Sequence, residues 1–477
     1  RSSADKNNND ARGGANGTPT ENSTKTFIDG QRVIGNTSLP TNQIEQISVI
    51  TGGIPAQFGD ATAGVINITT RGPRNEYYGG LEASSSQVTD AYGFNFIGLA
   101  FGGPLLIKTD SAKQKTSVLG FSLGGELTTE KDANPSAVGA WKLKDDVLKE
   151  LEENPIRANP TSAEGTIQNA DYITFNDMEK VKSRQNVRQN KAVANGKLEY
   201  QPTKNFNVKV GGSYDYNQGR DYSYVSSLFN ASNNAQTTTN TWRIWGRITQ
   251  KFGNNEKESK DDNALIKNAY YTLQAGYSKF GRVTEDDEHK DNLFKYGHVG
   301  KFTTTQTPFY VNDQNGTRQA GFSYFTTAFD GSQSSNPLAA NYTEQYDRLK
   351  GINEDRSIGL ANIAAGGGLL NGATPNNVYS LWNSTGRNST QYQKLDNRQF
   401  RLNADFNADI KNHSLQLGFE YEQRNESYYS VVPIGLWTHM RNLTNKHVLQ
   451  LDTAVDIVNP DGINGHPALY VESEQSN

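Results

Sequence analysis

The segment FRLNADFNADI, Phe400 to Ile410, alternates without a slip. Phe400, Leu402, Ala404, Phe406, Ala408 and Ile410 share one parity, and Arg401, Asn403, Asp405, Asn407 and Asp409 share the other. Successive side chains of a strand point to opposite faces, so this spacing predicts a β-strand with one apolar and one polar face. After the short turn KNH (411–413), SLQLGFEYEQ repeats the scheme, with Leu415, Leu417, Phe419 and Tyr421 against Gln416, Glu420 and Glu422. The two segments read as a hairpin.

The same pattern recurs upstream. NFNVKVGGSYDY (205–216) sets Phe206, Val208, Val210, Tyr214 and Tyr216 on one face, and TWRIWGRI (241–248) sets Trp242, Ile244 and Ile248 opposite Arg243 and Arg247. YTLQAGYS (271–278) groups Leu273, Ala275 and Tyr277, and VLGFSLGGEL (118–127) groups Leu119, Phe121, Leu123 and Leu127. With ANGKLEY (194–200) and the weaker YYGGLEASSS (77–86) and YGFNFIGLAF (92–101), about nine strands are expected. Their connections alternate in length: QPTKN (201–205) and KNH are short, whereas those at about 130–190 and 285–396 are very long. The charged connection at about 253–268 falls on the short side by parity. Any one of these strands also fits a soluble sheet with one wet face. Taken together, the alternating connections, the paired charges on the polar faces and the aromatics near strand ends (Tyr214, Tyr216, Tyr421, Trp242) fit a membrane barrel with a wet lumen.

Composition is compatible with that architecture and closes off others. Only 34% of the 477 residues are hydrophobic and the mean hydropathy is -0.74, so a single large soluble core is not expected. The sequence has no apolar run long enough for a transmembrane helix, a result that leaves barrel strands open. The absence of Cys removes thiol catalysis, cysteine metal sites and a disulfide framework, and suits a secreted or envelope protein. A net charge of -4 with no basic block gives no footprint for nucleic acid. The sequence opens at Arg1 without an apolar leader, and an export signal is expected to have been removed.

Ahead of the strands lies a different texture. Residues 1–26 are polar and rich in Asn, Gly and Ser, and read as a flexible loop. FIDGQRVIG (27–35) reads as a small hairpin about Asp29-Gly30. In SLPTNQIEQI (38–47), Ser38 as a cap, Pro40 at an early helical position and the spacing of Ile44 and Ile47 predict one or two helical turns. ISVI (47–50) and GVINITT (64–70) read as strands joined by the glycine-rich TGGIPAQFGDATAG (51–64). A phosphate-binding loop would carry Lys and Ser or Thr after its last glycine, whereas Asp60 follows Gly59 here, so Gly52, Gly53, Gly59 and Gly64 read as sites of positive φ and close contact.

This order of hairpin, short Pro-containing helix, IEQISVITGG and QFGDATAGVINITT resembles the C-terminal half of the plug domain of TonB-dependent outer-membrane receptors. With GLAFGGPL (98–105) shortly after, it is similar to the Oar-like and SusC-like receptors of Bacteroidota. The resemblance covers about residues 26–73, and its signature is Asp29, Gly30, Gly52, Gly53, Phe58, Gly59, Gly64 and Asn67. It implies an all-β fold: part of a transmembrane β-barrel, 22-stranded in the family, with the C-terminal half of an α+β plug that occludes the lumen. Residues 1–75 would form the plug part and 76–477 the first roughly nine strands, with extracellular loops at about 130–190, 220–240, 285–396 and 430–477. So few strands cannot close such a barrel, and the chain is expected to be a piece of a longer receptor.

The implied function is energised uptake of a nutrient, a peptide, glycan or metal chelate, across the outer membrane of a Gram-negative bacterium. The implied partners are outer-membrane lipid, a TonB-type energy-coupling protein acting through a segment outside this sequence, a surface lipoprotein lid and a small nutrient ligand, with no nucleic acid. A non-transporting outer-membrane scaffold, secretion-associated or not, and a surface adhesin are the alternatives. The protein is not expected to be an enzyme, and no catalytic residue, cofactor or metal is assigned. His289, His298, His413, His439, His447 and His466 are scattered, and only His439 and His447 share a predicted loop. EDDEHKD (285–291) lacks the ligand spacing and turn glycine of a calcium loop and reads as solvated charge. DDVLKELEE (145–153) predicts a helix within the first long loop, with Leu143, Val147 and Leu151 on one side.

Overall fold

The computed structural model describes residues 24–34, 38–55, 58, 64–109, 115–161, 165–252, 266–313, 316–352 and 358–444. Near its start, Asp29 (φ 48°) and Gly30 (φ 79°) both take positive φ, as a two-residue type I′ hairpin requires. They join β1 (Lys25–Ile28) to β2 (Gln31–Arg32). The polar stretch read as a loop through residue 26 therefore gives way to strand at Lys25. The helical turns expected over 38–47 shrink to one 3-10 turn, Thr41–Gln43, with Pro40 before it. Ile44 and Ile47 instead belong to β3 (Ile44–Ile50) and pair with Thr70 and Ile68 of β4 (Val65–Thr70). A short isolated helix is marginal, and pairing with β4 gives these residues backbone partners that a lone helical turn lacks. The four strands form a mixed sheet in the order β2-β1-β4-β3, with Phe27 and Val65 buried against Ile50, Ile54 and Phe58.

The chain then climbs and descends. β5 (Tyr78–Ser85), β6 (Asn95–Thr109) and β7 (Lys115–Glu130) lead into a long connection holding β8 (Ala140–Leu143), α1 (Asp145–Glu153), β9 (Ile156–Ala158), β10 (Thr166–Gln168) and β11 (Met178–Val181). Next come β12 (Gln189–Thr203), β13 (Phe206–Arg220), β14 (Gln236–Lys251) and β15 (Ile266–Glu285). A second long connection carries β16 (Lys301–Asp313), β17 (Gly316–Asp330), α2 (Pro337–Lys350) and α3 (Leu360–Ala365). β18 (Tyr392–Ile410), β19 (His413–Val431) and α4 (Gly435–Thr444) complete the described elements. Nine of the strands form one antiparallel sheet in the order β19-β18-β15-β14-β13-β12-β7-β6-β5. Most of the connection at about 253–268 lies outside the described residues; the strand ends beside it, Lys251 and Ile266, are at the same end of the sheet as the turn between β12 and β13.

The polarity of this sheet is inverted. Leu127, Ile244 and Phe419 are 57%, 53% and 62% exposed, while Arg243, Gln274 and Arg401 are 5%, 4% and 2% exposed. A sheet whose apolar face is bare and whose charged face is covered suits a lipid surround outside and a wet lumen inside. On β7 the outward apolar residues run from Leu119 to Leu127, about 27 Å of strand at ~3.4 Å per residue. At a tilt of about 40° that gives roughly 20 Å of height, close to the apolar band of a membrane barrel. The fold is all-β, part of a transmembrane barrel, and the four-stranded sheet sits on its lumen face.

At the opposite end from the short turns, the long connections pack into a cap of ordinary polarity. Ile156 from the first connection is buried with Tyr342, Tyr346, Ile352 and Ile363 from the second. A second cluster joins Leu143, Leu151 and Ala170 to Phe229, which lies between β13 and β14, and to Val378. α1 spans the predicted residues, and Leu148 and Leu151 pack into this cluster, whereas Val147 is only half-buried. Asn341 Nδ2 donates to the Glu152 carbonyl at 2.6 Å and Thr166 Oγ1 to the Gly366 carbonyl at 2.6 Å, tying the connections together. Burial pushes the Asp132 carboxyl up, but hydrogen bonds from the Arg184 guanidinium and from the backbone N–H groups of Arg184 and Asn134 outweigh it and hold that carboxyl below the usual range.

Candidate functional site: the seam between the small sheet and the wall

Asp29 stands at the tip of the β1–β2 hairpin, the point of the small sheet that reaches the wall. Its carboxylate accepts from the Thr70 N–H (3.0 Å), the Thr70 hydroxyl (2.6 Å) and Lys197 Nζ (3.1 Å). Its backbone carbonyl accepts from Arg247 Nη2 at 2.6 Å and Gln274 Nε2 at 2.9 Å. Lys197 also donates to the Thr70 carbonyl at 2.8 Å, so both members of the ion pair find further partners in a place where their side chains are 6% and 7% exposed. That satisfaction is what makes a buried pair tolerable, because an ion withdrawn from water without it costs several kcal/mol. Trp245 lies near both cations, its ring centroid 5.8 Å from Lys197 Nζ and 5.6 Å from Arg247 Cζ. Gly30 is required twice over: by its φ of 79° and because a Cβ there would lie 2.5 Å from Arg247 Nη2.

Further contacts run along the seam. The Ser38 N–H donates to Asp215 Oδ2 at 2.5 Å and Lys191 Nζ to Ser38 Oγ at 2.5 Å. Thr41 donates through its N–H and its hydroxyl to Glu126 Oε1 at 2.6 and 2.8 Å. Gln43, fully buried, donates to the Leu123 carbonyl at 3.2 Å and accepts from the Ser122 hydroxyl at 2.9 Å. It fits because position 124 is glycine, where a Cβ would lie 2.1 Å from Gln43 Cγ. Ile34 packs with Phe280 and Leu395, Arg401 lies over the Phe27 ring at 5.1 Å, and Arg32 pairs with Glu422 at 3.8 Å. Every wall strand from β7 to β19 thus touches the small sheet or the segment leading out of its hairpin. One contact set is apolar and the rest are polar or charged.

The eight signature residues do not form one site. Asp29 and Gly30 meet the wall, Phe58 packs on Phe27 at 5.2 Å, and Gly64 (φ 149°) and Asn67 lie within the small sheet. Gly52 and Gly53 are exposed, with open space around both, and Gly59 lies outside the described residues. Lys197, Asp215, Trp245 and Gln274 were not singled out as site residues in the sequence. Their only signal was their place on the polar parity of the strands, where Trp245 is out of character. The carboxylate run at 285–291 is engaged by its own loop and by neighbouring elements: Asp286 Oδ1 accepts from the N–H groups of Glu288 and His289 at 3.0 Å each, Asp287 pairs with Arg220 at the end of β13, and His289 Nε2 lies 2.6 Å from Asn336 Oδ1, just before α2. Among the described residues no group of three or more His, Asp or Glu side chains is placed to hold a metal ion. His439 is exposed on α4, and His447 lies outside the described residues.

No protein-family model and no curated protein matches the chain. Among solved structures it is similar to a ferric enterobactin receptor of Pseudomonas aeruginosa in complex with enterobactin, at 13% identity and a TM-score of 0.31, covering 87% of this chain and 52% of that one. A ferric-catecholate import receptor of Escherichia coli K12 matches at 13% identity and a TM-score of 0.34, covering 86% and 54%. A siderophore receptor of Acinetobacter baumannii matches at 15% identity and a TM-score of 0.33, covering 86% and 50%. The chain spans about half the length of each of these structures.

Proposed function

We propose that the chain is the plug-proximal part of a TonB-dependent outer-membrane receptor that takes up a nutrient by energised transport. The reading is carried by one observation: a small sheet fastened by mostly polar contacts to the covered, polar face of a wall whose other face is apolar and bare. A plug must block a water-filled lumen yet come away from it, and hydrogen bonds and ion pairs in a wet seam can be exchanged for water, whereas an apolar seam would resist. In this reading residues 1–75 belong to the plug and 76–477 to the barrel, and the capped end of the wall is extracellular. Asp29 and Gly30 form the main fastening, with Phe58, Gly64 and Asn67 supporting the plug sheet. The Oar-like and SusC-like subtype, a peptide, glycan or metal chelate as cargo, a TonB-type coupling protein and a lipoprotein lid belong to the same proposal and rest on the motif resemblance.

The test uses the full-length protein in its own cells. Accumulation of labelled ferric chelates, oligosaccharides and oligopeptides is compared in wild-type and deletion strains, with and without a protonophore. One class is expected to accumulate only when the gene is present and the proton gradient intact. If no class depends on both, the transport reading is wrong.

A further inference from the structure

We propose that the small sheet parts from the wall on one side only, over β18, while Asp29 holds it to β12, β14 and β15, so that the passage for cargo opens along β18. The inference rests on the transport reading above and adds to it the side on which the lumen opens.

The two sides of the seam are satisfied unequally. Lys197, Arg247 and Gln274, one residue from each of β12, β14 and β15, donate to the single residue Asp29 at 3.1, 2.6 and 2.9 Å. Ser38, Thr41 and Gln43 extend this bonded side over β13 and β7. Toward β18 and β19 the contacts change character. Arg32 stands 3.8 Å from Glu422, beyond hydrogen-bond reach, and Arg401 lies over the Phe27 ring at 5.1 Å. That ring contact shows that the parity of Arg401 faces the lumen. Four successive residues of this parity, Asn397, Gln399, Arg401 and Asn403, each carry a buried polar atom with no hydrogen-bond partner among the described residues. The atoms are Asn397 Oδ1, Gln399 Nε2, Arg401 Nε and Nη1, and Asn403 Oδ1. β7 and β15 carry no such atom among the described residues.

A buried donor or acceptor without a partner raises the free energy of the closed seam, and water relieves it. Gln399 and Arg401 are each 2% exposed, so a further stretch of chain cannot reach their atoms without displacing what covers them. Water can, once a gap opens. Separation over β18 therefore hydrates a whole column of orphaned groups. Separation at Asp29 exchanges bonds that are already satisfied for water and gains nothing comparable. The Asp29 hairpin is thus the pivot, and the side that parts is lined by amide and guanidinium groups, a surface suited to a hydrated cargo.

The test places single cysteines in full-length protein carrying no other cysteine. Gln399→Cys and Arg401→Cys report the β18 side. Ser122→Cys on β7 and Ser278→Cys on β15 are controls of matched burial, since these serines are 1% and 4% exposed. Heat-modifiable migration on gels selects variants with an intact barrel, and either β18 site suffices for the comparison. Modification by iodoacetamide in neutral detergent tracks the open population, and the β18 sites are expected to react at least about tenfold faster than the controls. Adding Asp29→Ala should raise Ser278→Cys to the rate of Gln399→Cys. Equal rates on both sides, or faster reaction at the controls, overturn the proposal. The same rates are read in cells with and without a protonophore, and acceleration by the proton gradient is expected at the β18 sites alone. A gradient effect at Ser122→Cys or Ser278→Cys overturns the one-sided parting and leaves the transport reading standing. No gradient effect at any site, with the difference in detergent intact, overturns the transport reading and leaves the one-sided parting in place.

Discussion

The wall and the cap obey opposite packing rules within one chain. In the wall, Ile244 is 53% exposed while Arg401 is 2% exposed; in the cap, Ile363 and Ile352 are fully buried. The same residue type is therefore sorted by what surrounds it: lipid accepts an isoleucine, and water does not. The difference teaches that burial in this molecule reports the solvent on each side of an element and not its distance from a centre. Mean hydropathy is low because both populations are paired with water-facing surface, in the lumen and over the cap.

The largest expected effect lies where the two media meet. Asp29→Ala leaves Lys197 charged and Thr70 without its acceptor in a buried seam, a loss of about 3–5 kcal/mol in docking of the small sheet. Limited proteolysis of detergent-solubilised full-length protein should then cut within residues 38–70 while the wall stays intact. Cutting no faster than in wild type would show that the seam does not depend on this pair. Asp29→Asn sharpens the result, since it keeps one acceptor oxygen and the side-chain size while removing the charge and turning the other acceptor into a donor.

In the cap, Ile363→Ala should lower the cap's stability by about 2–4 kcal/mol through lost burial and a cavity. The matching wall change, Ile244→Ala, should cost well under that in lipid, because no packed core is opened. Thermal melts of the two variants in vesicles compare them directly, and equal losses would erase the distinction between wall and cap. At the centre of β7, Leu123→Arg should cost about 2–4 kcal/mol of insertion into a bilayer. Denaturant titration in vesicles reads it, and a neutral outcome would place that face in water.

The smallest effect is a pH response confined to the cap. Burial lowers the His298 pKa, and its Nδ1 accepts the Ser335 N–H at 3.2 Å while its ring stacks on Trp437, so the folded cap favours neutral imidazole. The contribution is fully present above the unfolded value of 6.5 and is lost as pH falls below it toward the folded pKa, because the unfolded chain then takes up a proton that the cap refuses. The cap melting temperature should drop by about 1–3 °C between pH 7.5 and 5.5. His298→Gln should flatten that slope, and an unchanged slope would remove His298 from the account.

The wall was legible because its strands repeat a period of two over many residues, as in Phe400–Ile410, where each outward residue is apolar and each inward one polar. β5 and β6 were faint because glycines at 79, 80, 98, 102 and 103 interrupt that period. Of the cap, only α1 was legible. The cap's cores unite residues such as Ile156 and Tyr346, distant in sequence and supplied by separate connections, so no local pattern shows which faces meet. The expected helix at 38–47 failed for a related reason: its apolar spacing suited either a helix face or a strand, and only the partner β4 decides between them. Of the seam, the Asp29-Gly30 turn could be read locally, but the wall residues it meets come from 168 to 245 positions further on.

The placement of the seam contacts, spread across β7, β12, β13, β14, β15, β18 and β19 of the wall, has a mechanical consequence. A tug directed along the strands would load many fastenings at once and meet high resistance. A tug that lifts one end would load them in succession, each exposed pair being hydrated before the next gives way, so the same bonds would let go under a far smaller force.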